Sequence, residues 1–326
     1  MRKSLNILAL TAGVSLMAAL SVRAQLIASE DFNYPSGTDV LGLGSAGGGW
    51  AYEWADKNAS DILLPGSLNY TDGSGNTLAT SGNSLQSYGQ ANGVGTASSE
   101  PERTFSSTFG TMALANTADP DTLWMSYLWQ GNNTSSSGSL FRQATMMFLK
   151  GASTSSTSPG GTEYMDIGMP NISSANVSTV NPNISLWTSS GNSGQTLSST
   201  APLQSTVAAN DGLTDFILIE MSGTATAWGA AANSETIDVW INPILGGTLG
   251  TPDISYSLQD LSVLNAIRIQ GGGYNATYGT LPGEETVDEI NIGDTMADVE
   301  PIPEPASMGL AALGGLVLLA LKRKQQ

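Results

Sequence analysis

Pairs of acidic side chains are the residues of this chain whose types and spacing come closest to catalytic chemistry. Two carboxyl groups about 5 Å apart on one face of a strand can cleave a glycosidic bond, one as nucleophile and one as general acid. Three pairs of acidic residues lie in segments with strand-like composition and are candidates for this role: Glu163 with Asp166, Glu235 with Asp238, and Glu285 with Glu289. Members of the first two pairs are three positions apart, so an extended backbone turns them to opposite faces. The last pair would share a face, with Val287 between its members.

Histidine and cysteine are both absent from the 326 residues. Without histidine there is no serine–histidine–acid triad, no histidine metal ligand and no histidine proton shuttle. Any bound metal would therefore be a hard cation held by oxygen atoms, which means calcium or magnesium. Carboxylates in two predicted loops could supply such oxygens: Asp119 and Asp121 in one, Asp294 and Asp298 in the other. Neither loop matches the twelve-residue calcium motif. We therefore assign no cofactor and no metal ligand, and leave a structural calcium ion as an open alternative.

Alternating aromatic residues are the second set of candidates. Trp50, Tyr52 and Trp54 would lie on one side of an extended segment. A row of exposed rings is a platform on which sugars stack. Trp240 is a further candidate, because it shares a strand face with Asp238 rather than with the neighbouring apolar residues. Trp50, Trp54 and Trp240 are thus the candidate ligand-binding residues, and core packing is the alternative interpretation, especially beneath the glycine-rich turn before Trp50.

The elements that must position these residues are strands. Six segments rich in β-branched and aromatic residues predict strands: 123–129, 142–149, 215–221, 236–241, 266–270 and 287–292. Runs dense in Gly, Ser, Thr and Asn separate them, which is typical of an all-β sandwich or barrel. The nearly continuous apolar residues of 216–221 predict a strand that is covered on both faces. In 236–241, by contrast, Ile237, Val239 and Ile241 share one face of the strand. The other face carries Thr236, Asp238 and Trp240.

The N-terminus has the three parts of a secretory signal peptide. Arg2 and Lys3 form a charged region, 5–20 is apolar, and small residues flank a cleavage position after Ala24. Removal of 1–24 would leave a new N-terminus at residue 25. The alternative is a leader that is retained as an N-terminal membrane anchor. Either interpretation places the rest of the chain outside the cytoplasm.

The body between the two termini is strongly acidic. Before Pro303 there are 27 acidic residues, and between Ala24 and Pro303 only five basic residues remain, so the body carries a net charge of about −22. Such a charge repels nucleic acid and anionic lipid, and it favours solubility or binding of divalent cations. The sequence therefore predicts no nucleic-acid partner. A solvated acidic surface explains the charge without any ligand.

The C-terminus has the three-part composition of a sorting signal. It has Pro303, Glu304 and Pro305, then sixteen apolar or small residues, and finally a basic end made of Lys322, Arg323 and Lys324. As a helix the apolar run is roughly 24 Å long, short of the roughly 30 Å hydrocarbon core. The basic end belongs on the cytoplasmic side. The preceding linker, 296–303, is acidic and proline-rich, so we expect it to be extended and exposed as a short stalk.

These three parts closely resemble the PEP-CTERM sorting signal of Gram-negative bacteria. The resemblance implies recognition by an exosortase-type membrane protease and cleavage near Pro303, Glu304 and Pro305. The C-terminal helix would then anchor the chain only transiently, before release to the cell surface or to an extracellular matrix rich in exopolysaccharide. A plain, retained tail anchor is the alternative.

A second resemblance covers most of the body, about residues 28–299. The segments that carry it are EDFNYPSG at 30–37, GGGW at 47–50 and VDEINIG at 287–293. Together they resemble concanavalin A-like (laminin-G-like) jelly-roll proteins that carry PEP-CTERM signals in Verrucomicrobia and Planctomycetes. The resemblance implies two stacked antiparallel sheets in which the first and last strands lie together. Glycosidases of this fold carry a third, central acid in their catalytic strand, and this chain lacks it.

Three function classes follow from these observations. We expect a signal peptide at 1–24, an all-β concanavalin A-like sandwich at 25–299 and the sorting signal with its short transmembrane helix at 300–326. The leading interpretation is an exported, non-catalytic surface protein associated with exopolysaccharide. A lectin-like carbohydrate-binding module is the first alternative, and a degenerate glycoside hydrolase is the second.

Overall fold

The computed structural model describes twelve stretches of the chain: 26–55, 61–88, 99–116, 121–131, 144–152, 160–169, 183–188, 203–208, 212–223, 235–258, 260–271 and 284–300. The strands in these stretches are β1 (Leu26–Glu30), β2 (Asp61–Leu64), β3 (Ser84–Tyr88), β4 (Glu102–Thr104), β5 (Thr122–Gly131), β6 (Ala144–Lys150), β7 (Thr162–Met169), β8 (Asn183–Thr188), β9 (Leu203–Ala208), β10 (Asp215–Ser222), β11 (Glu235–Ile241), β12 (Ile254–Leu258), β13 (Leu264–Gly271) and β14 (Glu284–Gly293). Two short helices accompany them: α1 (Phe109–Ala115) and α2 (Met296–Val299). The six predicted strands are confirmed in the described residues; the first two positions of the strand predicted at 142–149 lie outside them.

Two antiparallel sheets build the molecule. The eight-stranded sheet has the order β12-β11-β10-β5-β14-β3-β2, with β1 also paired to β14. The six-stranded sheet has the order β4-β13-β6-β7-β8-β9. The first and last strands lie together as expected, with Ser29 opposite Asn291. The all-β class and the antiparallel sandwich are confirmed, while the jelly-roll connectivity stays a prediction.

The main core lies between the two sheets. Its members alternate along each strand, as the two-residue period of a strand requires. In β5 the inward residues are Leu123, Met125, Tyr127 and Trp129, and in β11 they include Ile237, Val239 and Ile241, as predicted. Opposite them, β6 and β13 contribute the inward side chains Met146, Phe148, Ile267 and Ile269. This continuous layer of buried side chains is what sets the spacing of the sheets.

A second apolar layer, which we call the outer core, covers the other face of the eight-stranded sheet. Its members are Tyr70, Leu78, Trp124, Leu128, Phe216, Leu218, Trp240, Leu245 and Val299. Phe216 and Leu218 therefore point into the outer core, while Ile217 and Ile219 point into the main core. The prediction that 216–221 is covered on both faces is confirmed.

The glycine-rich turn before Trp50 is required by a close backbone contact. Gly49 has a φ of +87°, and a Cβ at this position would lie 2.1 Å from the Ile27 carbonyl oxygen. No other residue type tolerates both the left-handed backbone and this distance. The turn therefore brings the loop after β1 back against β1 itself and directs the following segment toward the interior.

The prediction of an extended stalk is wrong for residues 296–300, the first five of the predicted segment. Residues 296–299 form α2 rather than an extended linker, and the structure buries both Val299 and Glu300. An acidic, proline-rich composition does not prevent packing when a valine reaches an apolar layer. The predicted signal peptide with its cleavage position after Ala24, and residues 301–326 with the predicted terminal helix, lie outside the described residues. Within the described stretches, neither helix has the length and apolar character needed to cross a membrane.

Candidate functional site

Trp50 and Trp54 are core residues in the structure. Their exposed fractions are 3% and 0%, and both belong to the main core. The Trp50 ring nitrogen donates to the Ser29 carbonyl oxygen at 2.8 Å. The sugar-stacking prediction is therefore wrong for this pair, because neither ring presents a face to solvent. Core packing, the alternative interpretation, describes them correctly.

The two indole rings enclose a buried arginine. The Arg103 guanidinium carbon lies 4.5 Å from the Trp50 ring centroid and 5.6 Å from that of Trp54. Arg103 also forms a buried ion pair with Glu30. Burial lowers the pKa of Arg103 to about 10, so the guanidinium remains charged at neutral pH. Cation–π contacts of this kind become stronger when they are removed from water.

Glu30 is the centre of this buried network. One of its carboxylate oxygens accepts from the Trp54 ring nitrogen at 3.0 Å and from the Tyr34 hydroxyl at 2.9 Å. The other accepts from the Phe32 backbone N–H at 2.8 Å. Together with Arg103, these groups join β1, the loop that follows it and β4. Glu30, Trp54 and Arg103 are buried, so the network holds these strands together.

Trp240 is covered as well. It shares the strand face with Asp238, as predicted, but that face points into the outer core and the side chain is only 7% exposed. Its ring stacks on Trp124 at a centroid distance of 6.0 Å, and its ring nitrogen donates to the Gly250 carbonyl oxygen at 2.9 Å. The sequence pattern could not show that the loop 242–250 folds back over this face. The prediction of a solvent-facing Trp240 is wrong.

The three acid pairs share one structural property. In each pair at least one carboxyl is fully buried: Asp166, Glu235 and Glu285. Glu235 accepts a hydrogen bond from the Leu261 backbone N–H. Glu285 accepts from the Trp129 ring nitrogen at 2.6 Å. Burial raises the pKa of Glu285 to about 8, so this carboxyl is protonated at neutral pH.

Asp288 and Glu289 hold loops in place. The register of β14 shifts between Asp288 and Asn291, and Glu289 has a φ of +49°. This irregularity interrupts the alternation on which the predicted shared face of Glu285 and Glu289 depended. Asp288 accepts from the Ser67 hydroxyl and from the Leu68 backbone N–H, while Glu289 accepts from the Ser81 backbone N–H. The two acids therefore anchor both ends of the segment 67–81.

A charged cluster joins β4, β7 and β13 of the six-stranded sheet with the segment just before β4, and it was not predicted from the sequence. We call it the Arg268 cluster; it consists of Glu100, Glu102, Glu163 and Arg268. Arg268 contacts Glu102 at 2.8 Å and Glu100 at 3.7 Å. Antiparallel pairing places Arg268 opposite Glu102, although 166 positions separate them in the chain. Pairing between distant strands determines this contact, and no local sequence signal reports it.

The electrostatics of the Arg268 cluster favour neutral or cationic ligands. Burial raises the pKa of Glu163, and Glu100 adds to the rise while Arg268 opposes it. Burial likewise raises the pKa of Glu102, against the lowering effect of Arg268. Glu163 and Arg268 keep partial exposure, whereas Glu100 and Glu102 are buried. Three acids around one guanidinium can accept hydrogen bonds from hydroxyl groups, but they oppose the approach of an anion.

The predicted loop acids do not form a metal centre in the described residues. Asp298 accepts from the Thr295 backbone N–H at 2.7 Å and from the Thr295 hydroxyl at 2.9 Å, so it caps α2. Asp119 lies outside the described residues. Across the twelve described stretches, no group of three or more acidic side chains is arranged to hold a metal ion.

Comparison with solved structures finds distant likenesses. Endo-β-1,4-glucuronan lyase from the fungus Trichoderma reesei is 13% identical, covers 78% of this chain and 94% of its own, and has a TM-score of 0.44. The VIP36 exoplasmic/lumenal domain in its Ca²⁺/Man-bound form is 10% identical over 84% and 92%, also with a TM-score of 0.44. The T. cruzi calreticulin globular domain is 12% identical over 92% and 99%, with a TM-score of 0.39. These likenesses concern the fold alone.

Comparison of the sequence itself gives one result for the C-terminus. No curated protein sequence matches the chain. Residues 301–324 match the PEP-CTERM protein-sorting motif. The predicted signal residues Pro303, Glu304, Pro305 and the basic end Lys322, Arg323 and Lys324 all lie within this match. The motif marks the chain as an exported protein that is directed to the cell surface.

Proposed function

We propose that this protein is a non-catalytic surface sandwich, sorted by an exosortase-type membrane protease and associated with exopolysaccharide. The observation that carries the proposal is the position of the sorting motif. It begins at residue 301, directly after a sandwich whose last described residue is Glu300. A folded extracellular domain followed at once by a sorting motif is the arrangement expected of an exported cargo rather than of a membrane enzyme.

The burial of the acid pairs supports a non-catalytic role. A retaining glycosidase needs two carboxyl groups about 5 Å apart that both reach the sugar. Here Asp166, Glu235 and Glu285 are enclosed by protein atoms. Their hydrogen bonds and burial serve the fold instead, as the contact between Glu285 and Trp129 illustrates.

A lectin-like role is the second candidate, and the Arg268 cluster is the observation that favours it. Glu163 and Arg268 retain partial exposure on the outer face of the six-stranded sheet. Carboxylates and guanidinium groups are suited to hydrogen bonding with sugar hydroxyls. Since the candidate rings of Trp50, Trp54 and Trp240 are buried, a glycan at the Arg268 cluster would be held by polar contacts.

The test is fractionation of bacterial cells that produce the full chain and have an exosortase-type protease. We expect the chain in the surface and exopolysaccharide fractions. Replacement of Pro303, Glu304 and Pro305 by alanine should reduce the amount of protein in these two fractions at least tenfold and leave the chain in the membrane fraction. A matched strain without the protease should give the same loss. Wild-type protein that remains in the cytoplasm would refute the proposal.

The Arg268→Ala variant separates the two candidate roles in the same assay. If the Arg268 cluster binds glycan, this variant should reach the surface normally but be washed from the exopolysaccharide more easily. Retention equal to that of the wild type would rule out the cluster as the carbohydrate contact. Added calcium or a chelator provides the control for a bridging ion.

A further inference from the structure

The last described residues pack onto the sandwich. Val299 is 0% exposed and belongs to the outer core, and Glu300 is 4% exposed. The preceding turn is stabilised by the two hydrogen bonds from Thr295 to Asp298. The packed part of the domain thus extends to Glu300, the residue immediately before the sorting motif.

Hydrogen bonds fix this segment to two separate parts of the fold. The Ser126 hydroxyl in β5 donates to the Val299 carbonyl oxygen. The Gly246 backbone N–H donates to the Glu300 carboxylate at 3.2 Å, and the neighbouring Leu245 N–H donates to Asp72 at 2.9 Å. The loop around Leu245 is therefore held by the C-terminal segment on one side and by Asp72 on the other. We call residues 295–300 the C-terminal clasp.

The clasp lies very close to the expected processing position. Pro303 is three residues after Glu300, so a fully extended chain places it within about 11 Å of the buried residue. Recognition of a peptide by its backbone requires an extended, accessible segment. Only residues 301 and 302 lie between buried Glu300 and Pro303, so a longer extended segment before Pro303 requires residues 299 and 300 to leave the sandwich.

We propose that the C-terminal clasp must open before the sorting motif can be processed, so that local opening of residues 295–300 sets the processing rate. This inference rests on the proposed sorting by an exosortase-type protease. The clasp is a short segment of six residues, and local opening of a short segment costs less free energy than unfolding of the whole sandwich. Its apolar contribution to the outer core comes chiefly from Val299.

Two valine-to-alanine variants test the clasp. Val299→Ala removes two methyl groups from the clasp, whereas Val287→Ala removes the same groups from the main core; both valines are fully buried. The full chain carrying each variant is produced in cells with the protease, and conversion of precursor to product is followed by pulse-chase. Hydrogen exchange of the purified proteins reports opening of 295–300 separately from that of β14.

The expected result is specific to the clasp. Val299→Ala should speed processing at least fivefold and speed exchange in 295–300, while Val287→Ala should change processing less than twofold. Equal processing rates for Val299→Ala and the wild type, or equal acceleration of processing by both variants, would overturn the proposal that opening of the clasp sets the processing rate. Unprotected exchange of 295–300 in the wild type would overturn it as well. Absence of any processing of the wild type would instead contradict the proposed sorting, and the gating with it.

Discussion

Arg103→Met is expected to lower the melting temperature by about 10 °C. Removal of one partner from a buried ion pair costs about 3–5 kcal/mol, because the other charge stays buried without compensation. Here the uncompensated group would be the Glu30 carboxylate. The variant also loses the stacking of the guanidinium on Trp50 and Trp54. For a domain of this size each kcal/mol shifts the melting temperature by about 2–4 °C.

Thermal and urea unfolding of matched variants provide the measurement. Lys150→Met is the control, since it also removes one positive charge next to an aromatic ring, with the ammonium 5.1 Å from the Tyr164 ring centroid. Lys150 is partly exposed, so we expect a cost of less than about 1 kcal/mol. Glu30→Gln added to Arg103→Met should recover part of the loss. Equal melting temperatures for Arg103→Met and Lys150→Met would contradict the role given to the buried pair.

Glu285→Gln is expected to stabilise the protein at alkaline pH. Burial raises the pKa of Glu285 from 4.5 to about 8. Between these two values the folded state holds a proton that the unfolded state has lost, so stability falls as the pH rises through this window. One such group can change stability by about 1.4 kcal/mol per pH unit. Glutamine stays neutral at every pH, so its stability should not fall in this way.

The measurement is the melting temperature of each variant between pH 4.5 and pH 8.5. Glu285→Gln should melt within about 2 °C of the wild type at pH 4.5 and at least about 5 °C above it at pH 8.5. Burial also raises the pKa of Asp288 to about 8, so a smaller decline should remain in the variant. Glu284→Gln is the neighbouring control, because Glu284 is only partly buried. A Glu285→Gln profile parallel to that of the wild type would exclude the buried carboxyl as the source of the decline.

Strand positions and faces could be predicted because they depend on local periodicity. In β11 the alternation of Ile237, Val239 and Ile241 sets the inward face, and the structure has these residues in the main core. In β10 the loss of alternation correctly predicted cover on both faces. The pattern did not show which residues cover the second face of β10, because these residues come from loops far away in the chain.

The candidate site could not be predicted for the same reason. Trp50 and Trp54 alternate as an exposed platform would, yet both lie in the main core and contact Arg103, about fifty residues further on. The Arg268 cluster exists because sheet pairing aligns Glu102 with Arg268. Charge and spacing within a short segment report which face a residue occupies, but they do not report which distant segment covers that face.

The C-terminal boundary shows how composition and packing can disagree. Acidic residues and prolines from 296 onward are typical of an exposed linker. In the structure Val299 enters the outer core and Glu300 accepts a backbone hydrogen bond from Gly246. One apolar side chain and one satisfied carboxylate are enough to extend the folded unit to the edge of the sorting motif.

Intact-mass measurement of the protein recovered from the cell surface tests the central proposal most directly. The account predicts a product that begins at Gln25 and ends near Pro303, Glu304 or Pro305, present only in cells that have the protease. A cytoplasmic protein with the mass of the uncleaved 326-residue chain would contradict it.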